Sequence, residues 1–180
     1  MSTNTLIVIV VAAVVVLALC LMLWMLARRR HLRGRFGPEY ERTVEEKGGK
    51  LAAERDLRAR EDRHDRLDLK ELPPERRRQY TEEWNGVQEH FVDRPEGAVT
   101  EADQLVTQLM RERGYPTDGY SRQLRDLSVE HGRTLQHYRA AHDVRERSGG
   151  GGQATTEELR GAMVHYRALF EELLTDQRSR

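Results

Sequence analysis

The chain opens with an unbroken apolar run and never repeats it. From Thr5 to Ala27 only Thr5, Cys20 and Trp24 depart from Leu, Ile, Val, Ala and Met. As a helix rising ~1.5 Å per residue, this run reaches roughly 34 Å, enough to cross a hydrocarbon core of about 30 Å. The pattern predicts a transmembrane helix over 5–27, with residues 1–4 as a short extracytoplasmic tail. A cleaved signal peptide is the rival reading. It wants a basic start and a shorter apolar run, whereas Met1–Asn4 carries no basic side chain and Arg28 follows the run directly. Leu17-Ala18-Leu19-Cys20 comes near a lipoprotein cleavage box, but Leu19 is bulky where a small residue is required.

Beyond residue 72 the apolar positions turn periodic. Leu72-Pro73-Pro74-Glu75 punctuates the chain and starts a helix, with proline near its first position and an acid in its first turn. Tyr80, Trp84, Val87 and Phe91 then recur at helical spacing. Asp93-Arg94-Pro95 closes that helix and opens a second, striped by Val99, Ala102, Val106, Leu109 and Met110 up to Gly114-Tyr115-Pro116. A short irregular stretch holding Tyr120, Leu124 and Leu127 follows, then a helix with Leu135, Tyr138 and Val144. Ser148 and Gly149–Gly152 read as a flexible joint. Thr155 and Glu158 form a capping box for a last helix striped by Leu159, Met163, Tyr166, Phe170 and Leu173. Strand-type alternation is absent. The expected fold is all-α: an N-terminal transmembrane helix, a charged helical stalk, and an antiparallel C-terminal bundle of about four helices over 72–175. Residues 176–180 are expected to form a disordered tail.

Charge changes the picture only when it is divided. The chain carries 30 basic and 30 acidic side chains. The first 27 residues hold none of them, residues 28–78 carry 17 basic against 12 acidic, and residues 79–180 carry 13 against 18. Arg28, Arg29, Arg30, Arg33 and Arg35 form a basic collar within the 28–40 juxtamembrane segment, whose Gly34, Gly37 and Pro38 should break the helix. By the positive-inside rule the collar places the C-terminal part in the cytoplasm. The same arginines could instead recruit anionic lipid, at about 1 kcal/mol each. Residues 41–71 read as a highly charged helix interrupted near Gly48-Gly49. Its acid-before-base pairs, such as Glu54 with Arg58, fit a solvated stalk; a weak coiled coil is the alternative. The 27 arginines against three lysines match either phosphate-directed chemistry or a codon bias.

Candidate chemistry is thin. A single cysteine inside the apolar run excludes a disulfide framework and a multi-cysteine zinc site. His137 and His142 lie about 140° apart around a helix and cannot chelate one ion together, and no Glu-x-x-His motif suggests a di-metal bundle. No nucleophile elbow occurs, and the four-glycine run lacks the Lys-Ser/Thr ending of a phosphate loop. Basic charge confined to one region argues against nucleic acid. No catalytic, cofactor-binding or metal-ligating residue is therefore expected. Tyr80, Trp84, Phe91, Tyr138, Tyr166 and Phe170 are the core or interface candidates. One internal echo stands out: His137-Tyr138-Arg139-Ala140 recurs as His165-Tyr166-Arg167-Ala168, either by chance or as the trace of a duplicated hairpin.

The string Arg33-Gly34-Arg35-Phe36-Gly37-Pro38-Glu39-Tyr40 resembles the juxtamembrane segment of a group of single-pass bacterial membrane proteins common in actinobacteria. The likeness continues at Trp84, Val87-Gln88, Phe91-Val92-Asp93, Arg113-Gly114-Tyr115-Pro116, Tyr138–His142 and the helix from Thr156 to Leu174. It implies a location and a bacterial source, with no activity to transfer.

These readings lead to a membrane-anchored cytoplasmic interaction or scaffold protein. Its expected partners are the bilayer and an unidentified protein. A membrane-tethered enzyme or small-ligand sensor with a pocket in the bundle is the alternative, and an outward-facing or secreted helical domain is a third.

Overall fold

In the computed structural model of the protein, which describes residues 3–150, 152 and 154–175, no strand occurs among the described residues. Eight helices follow in order: α1 (Thr3–Phe36), α2 (Pro38–Lys47), α3 (Lys50–His64), α4 (Pro74–Asp93), α5 (Pro95–Glu112), α6 (Tyr120–Leu127), α7 (Leu135–Gly149) and α8 (Thr156–Thr175). The fold is all-α, as expected. The chain divides into two compact units, Met1–Leu57 and Arg58–Arg180, with the division falling inside α3.

In the first unit, one segment among the described residues, Val11–Phe36, is long and apolar enough to cross a membrane; its most apolar stretch has a mean hydropathy of 2.4 and none of that stretch is buried, whereas Leu32 and Phe36 at its end are. Leu17 and Leu23 are each 62% exposed, a surface that a soluble protein does not leave uncovered. The helix continues nine residues past Ala27, through the arginines and Gly34. The expected break is confined to Gly37, whose φ of +54° ends α1 before Pro38 starts α2 at its first position. One glycine in a helix costs only about 1 kcal/mol, which the neighbouring arginines, good helix formers, tolerate.

In the charged 41–71 segment the helix is interrupted at the expected place: Gly48, at φ +68°, caps α2 with its N–H directed to the Val44 and Glu45 carbonyls, so α2 and α3 are separate helices. The segment departs from a solvated stalk in its burial. Tyr40, Thr43, Ala53, Glu54 and Leu57 are buried, as are Arg60 and His64 further along α3. Within the first unit the Tyr40 hydroxyl donates to Glu54 Oε1 at 3.1 Å and Arg29 Nε donates to the same oxygen at 3.0 Å, tying α1, α2 and α3 together. The stretch after His64, up to Pro73, is not helical.

In the second unit, α5 is the central helix: α4, α7 and α8 all pack on it, and α7 packs on α8. Single-residue and short connections make α4–α5 and α7–α8 antiparallel hairpins. Proline opens both α4 and α5. At α8 the capping box is formed: Glu158 N–H donates to Thr155 Oγ1 at 3.2 Å, and Thr155 N–H donates to Glu158 Oε2 at 2.8 Å. Residues 120–127, expected to be irregular, form α6, so five helices rather than four build this unit. Tyr120, Leu124 and Leu127 stand at helical spacing, and Gln123, Asp126 and Leu127 are buried. The expected tail at 176–180 and part of the glycine joint lie outside the described residues.

One glycine is obligatory here. Gly114 has φ +92°, and a Cβ at that position would lie 2.3 Å from the Asp68 carbonyl oxygen. The adjacent backbone pair, Lys70 N–H to Arg113 O at 2.9 Å, fastens the 65–73 stretch to the end of α5. Arg113 itself is buried and donates from Nη1 to the Leu173 carbonyl at 2.9 Å. A cation thus meets the negative end of α8.

Trp84 is 4% exposed and stacks on Phe170 of α8, ring centroids 4.7 Å apart at 24°. Truncation to alanine should remove about 3–5 kcal/mol. Fragment 58–180 contains no other tryptophan, so its emission should be blue-shifted when native and move red in denaturant. Chemical denaturation of wild type and Trp84→Ala checks the loss.

Candidate functional site

The collar arginines do not act alike. Arg28 lies over the Trp24 ring at 4.7 Å, and Arg30 is exposed. Arg29 is committed to the buried Glu54, and Arg33 pairs with Glu41 at 2.9 Å while resting over the Tyr40 ring at 5.1 Å. Arg35 is half-buried. Two of the five therefore hold the first unit together, a role that the sequence reading missed because their acids lie 8 and 25 residues downstream.

Of the six aromatic candidates, five are buried and Phe91 is half-buried. Tyr80 anchors an ion pair at the α4–α5 hairpin. Its hydroxyl donates to Glu112 Oε2 at 2.7 Å, and Arg76 grips both oxygens of that carboxylate. Hydrogen bonding from Arg76 outweighs burial and holds the Glu112 carboxyl below its usual value; burial and Glu112 push the Tyr80 hydroxyl up.

Tyr138 and Tyr166 meet edge to face, centroids 6.0 Å apart, beside a buried carboxylate. Asp103 of α5 accepts the Tyr166 hydroxyl at 2.9 Å, with His142 Nδ1 at 3.7 Å and Arg145 Nε at 3.6 Å in ion-pair rather than hydrogen-bond range. The Tyr138 hydroxyl donates to Gln123 Oε1 of α6 at 3.0 Å, and Tyr120 stacks on His142 at 3.7 Å. Burial pushes Asp103 up, but His142, Tyr166 and Arg145 together draw its carboxyl below the ordinary range. Burial raises both tyrosines, with Asp103 adding to it. Asp103 also lines a shallow polar hollow of about 330 Å³ along α5, with Gln104, Thr107, Gln108 and Arg111.

A second polar chain joins α8 to the 115–134 segment. His131 Nδ1 lies 2.9 Å from Glu172 Oε1, and its Nε2 lies 3.1 Å from the Tyr115 hydroxyl. A carboxylate only accepts, so Nδ1 carries a proton, and the Tyr115 hydroxyl also donates to Glu130 Oε2 at 3.3 Å. Thr134 also donates to Glu172. Burial opposes ionisation of Glu172, yet His131 and Thr134 hold its carboxyl below the usual value. The order carboxylate–imidazole–hydroxyl is that of an activated nucleophile. However, Tyr115 and His131 are each 2% exposed, so no substrate reaches them as folded. The chain works as a polar clamp. Among the described residues, no three His, Cys, Asp or Glu side chains gather in a metal-holding group.

A different surface is apolar. Trp84, Gln88 and Phe91 of α4 and Arg160, Met163, Val164 and Arg167 of α8 line a groove of about 180 Å³. Val164 is 62% exposed. The sequence showed Trp84 and Phe91 on one stripe, but it could not show that α8 supplies the other wall.

No family model matches the chain, and no curated protein or solved structure matches it.

Two carboxylates of this unit, the buried Asp103 and the half-buried Glu172, set an acid limit. Asp103 and Glu172 have folded-state values below their unfolded ones. Their stabilisation is therefore complete above the ordinary carboxylate range and is lost as pH falls through the depressed values. The thermal midpoint of fragment 58–180 should hold from neutral pH to about 5 and fall below about 4. Asp103→Asn should lower the midpoint at pH 7 and flatten part of the acid decline.

Proposed function

We propose that the protein is a single-pass, membrane-tethered adaptor whose helical bundle faces the cytoplasm and binds a partner protein through the α4–α8 groove. The groove carries this reading. It is the place where exposed apolar surface, Val164 beside Phe91 and Met163, adjoins a filled core. Surface patches of this kind, rimmed by polar side chains, mark interaction sites.

The rim suggests the partner's chemistry. Arg160 and Arg167 stand two turns apart on α8, about 10 Å along its axis. Among the described residues, each pairs with an exposed acid on its own helix, Glu157 for Arg160 and Glu171 for Arg167. Such pairs contribute about 0.3–0.5 kcal/mol and exchange readily. The fitting occupant is an acidic amphipathic helix that lays its apolar face on Val164 and Met163 and offers carboxylates two turns apart. This is helix-in-groove recognition.

The orientation rests on the five collar arginines, which have no basic counterpart in residues 1–27. Trp24 under Arg28 suits the headgroup level, where indoles collect. The resemblance to single-pass bacterial membrane proteins agrees with this location and adds no activity.

Two outcomes are expected. A C-terminal alkaline phosphatase fusion should be inactive and a fluorescent-protein fusion bright; high phosphatase activity would reverse the orientation. A photo-crosslinking side chain at Val164 should trap one protein partner in cells, and the adduct should vanish in Arg160→Glu/Arg167→Glu. An adduct indifferent to that charge reversal, or one equally strong from the exposed Val92, would remove the groove from the reading.

A further inference from the structure

The repeated tetrapeptide meets its own copy. Where antiparallel α7 and α8 cross, His137 Nδ1 lies 2.9 Å from His165 Nδ1, with ring centroids 4.9 Å apart at 31°. One position further along, Tyr138 meets Tyr166. Equivalent residues face each other about a local two-fold axis, which is why the same nitrogen of each ring arrives at the same place. Both imidazoles are half-buried and sit on adjacent helices. They remain reachable from solvent.

We propose that His137 and His165 form a two-imidazole binding site for a divalent transition ion of square-planar or tetragonal preference, copper(II) or nickel(II). The spacing selects the ion. Metal–imidazole bonds of about 2.0–2.1 Å whose nitrogens are 2.9 Å apart subtend about 90°, the angle of neighbouring ligands in a square plane, whereas a tetrahedral zinc site wants about 3.3 Å. Imidazole suits copper and nickel, and both lie high in the divalent affinity order. In the metal-free chain one Nδ1–H donates to the other Nδ1. The ion takes the place of that shared proton; the donor ring gives it up at Nδ1 and takes one up from solvent at Nε2, so both ligands are neutral imidazoles, no net proton is released, and water fills the remaining positions. Burial, with the neighbouring His137 adding to it, draws His165 below its ordinary value and so favours the unprotonated form that ligation requires.

The consequence is mechanical. The α7–α8 hairpin is joined by a glycine-bearing connector, and a metal at the crossing would cross-link the two helices. Binding to the folded hairpin should therefore raise the thermal midpoint with metal concentration. This inference does not depend on the partner groove.

Full-length protein in detergent micelles, titrated with nickel(II) by calorimetry and with copper(II) by electron paramagnetic resonance, tests it. One equivalent should bind at this site, and the copper spectrum should carry the coupling of two imidazole nitrogens. His137→Gln and His165→Gln should each weaken nickel by about ten-fold or more and abolish the metal-dependent rise in melting temperature. His90→Gln, on α4, should do neither. Retained affinity in either variant, or an equal loss in His90→Gln, would overturn the site. If a variant fails to fold, the wild-type spectrum decides: a single coupled nitrogen, or binding through the chain's amino terminus, would overturn it as well.

Discussion

Helix α5 has to be covered by three other helices at once. Its buried residues, from Leu105 and Ala98 at one edge through Val106 and Val99 to Asp103 at the other, take up an arc of about 160° at 100° per residue, wider than the stripe one partner helix covers. A helix with an apolar stripe of ordinary width is satisfied by one neighbour; α5 needs α4, α8 and α7. Fixing three helices on one axis decides where the hairpins lie and which face of α8 remains outside. That face carries Val164 between two arginines. The interaction surface proposed for this protein is thus a by-product of how α5 is buried.

The same constraint explains the polar residues inside the bundle. Asp103 sits on α5 among apolar neighbours, and a buried carboxylate is costly unless its oxygens are engaged. Tyr166 of α8 reaches it directly, Arg145 of α7 supplies charge, and His142 Nδ1 lies 3.7 Å away. Three helices therefore meet at one anion, and replacing any one contact leaves the others short of a partner. The His131 clamp does the same near the end of α8, where Arg113 also meets the Leu173 carbonyl. Such networks fix register more than they add stability, because each ionised group gives up hydration to enter them.

The first unit follows a different logic. The described apolar turns of its first helix are exposed as far as Leu26, while Leu32, Phe36, Tyr40, Ala53 and Leu57 are buried together with the carboxylate of Glu54, approached by Arg29 and Tyr40. Arginines that read as a topology signal thus also hold α2 and α3 against the end of α1. A charge count along the chain cannot distinguish an arginine facing headgroups from one folded back onto an acid.

What the sequence determined by itself were the features carried by local chemistry. These include the apolar run from Thr5, the proline starts of α4 and α5, the Thr155–Glu158 cap and the stripes of α4, α5 and α8. Each depends on residues within a turn or two of one another, so spacing reveals them. The tertiary structure decided everything that requires two distant segments. It buried Asp126 and Leu127 of α6, and it gave the two helices of the charged stalk buried faces. It set Trp84 on Phe170, and it brought His137 against His165. The echoed tetrapeptide was visible in the sequence, but its meaning was not. Only an antiparallel crossing at that residue turns two copies 28 positions apart into one pair of facing rings, and the crossing point is set by the packing of both helices on α5.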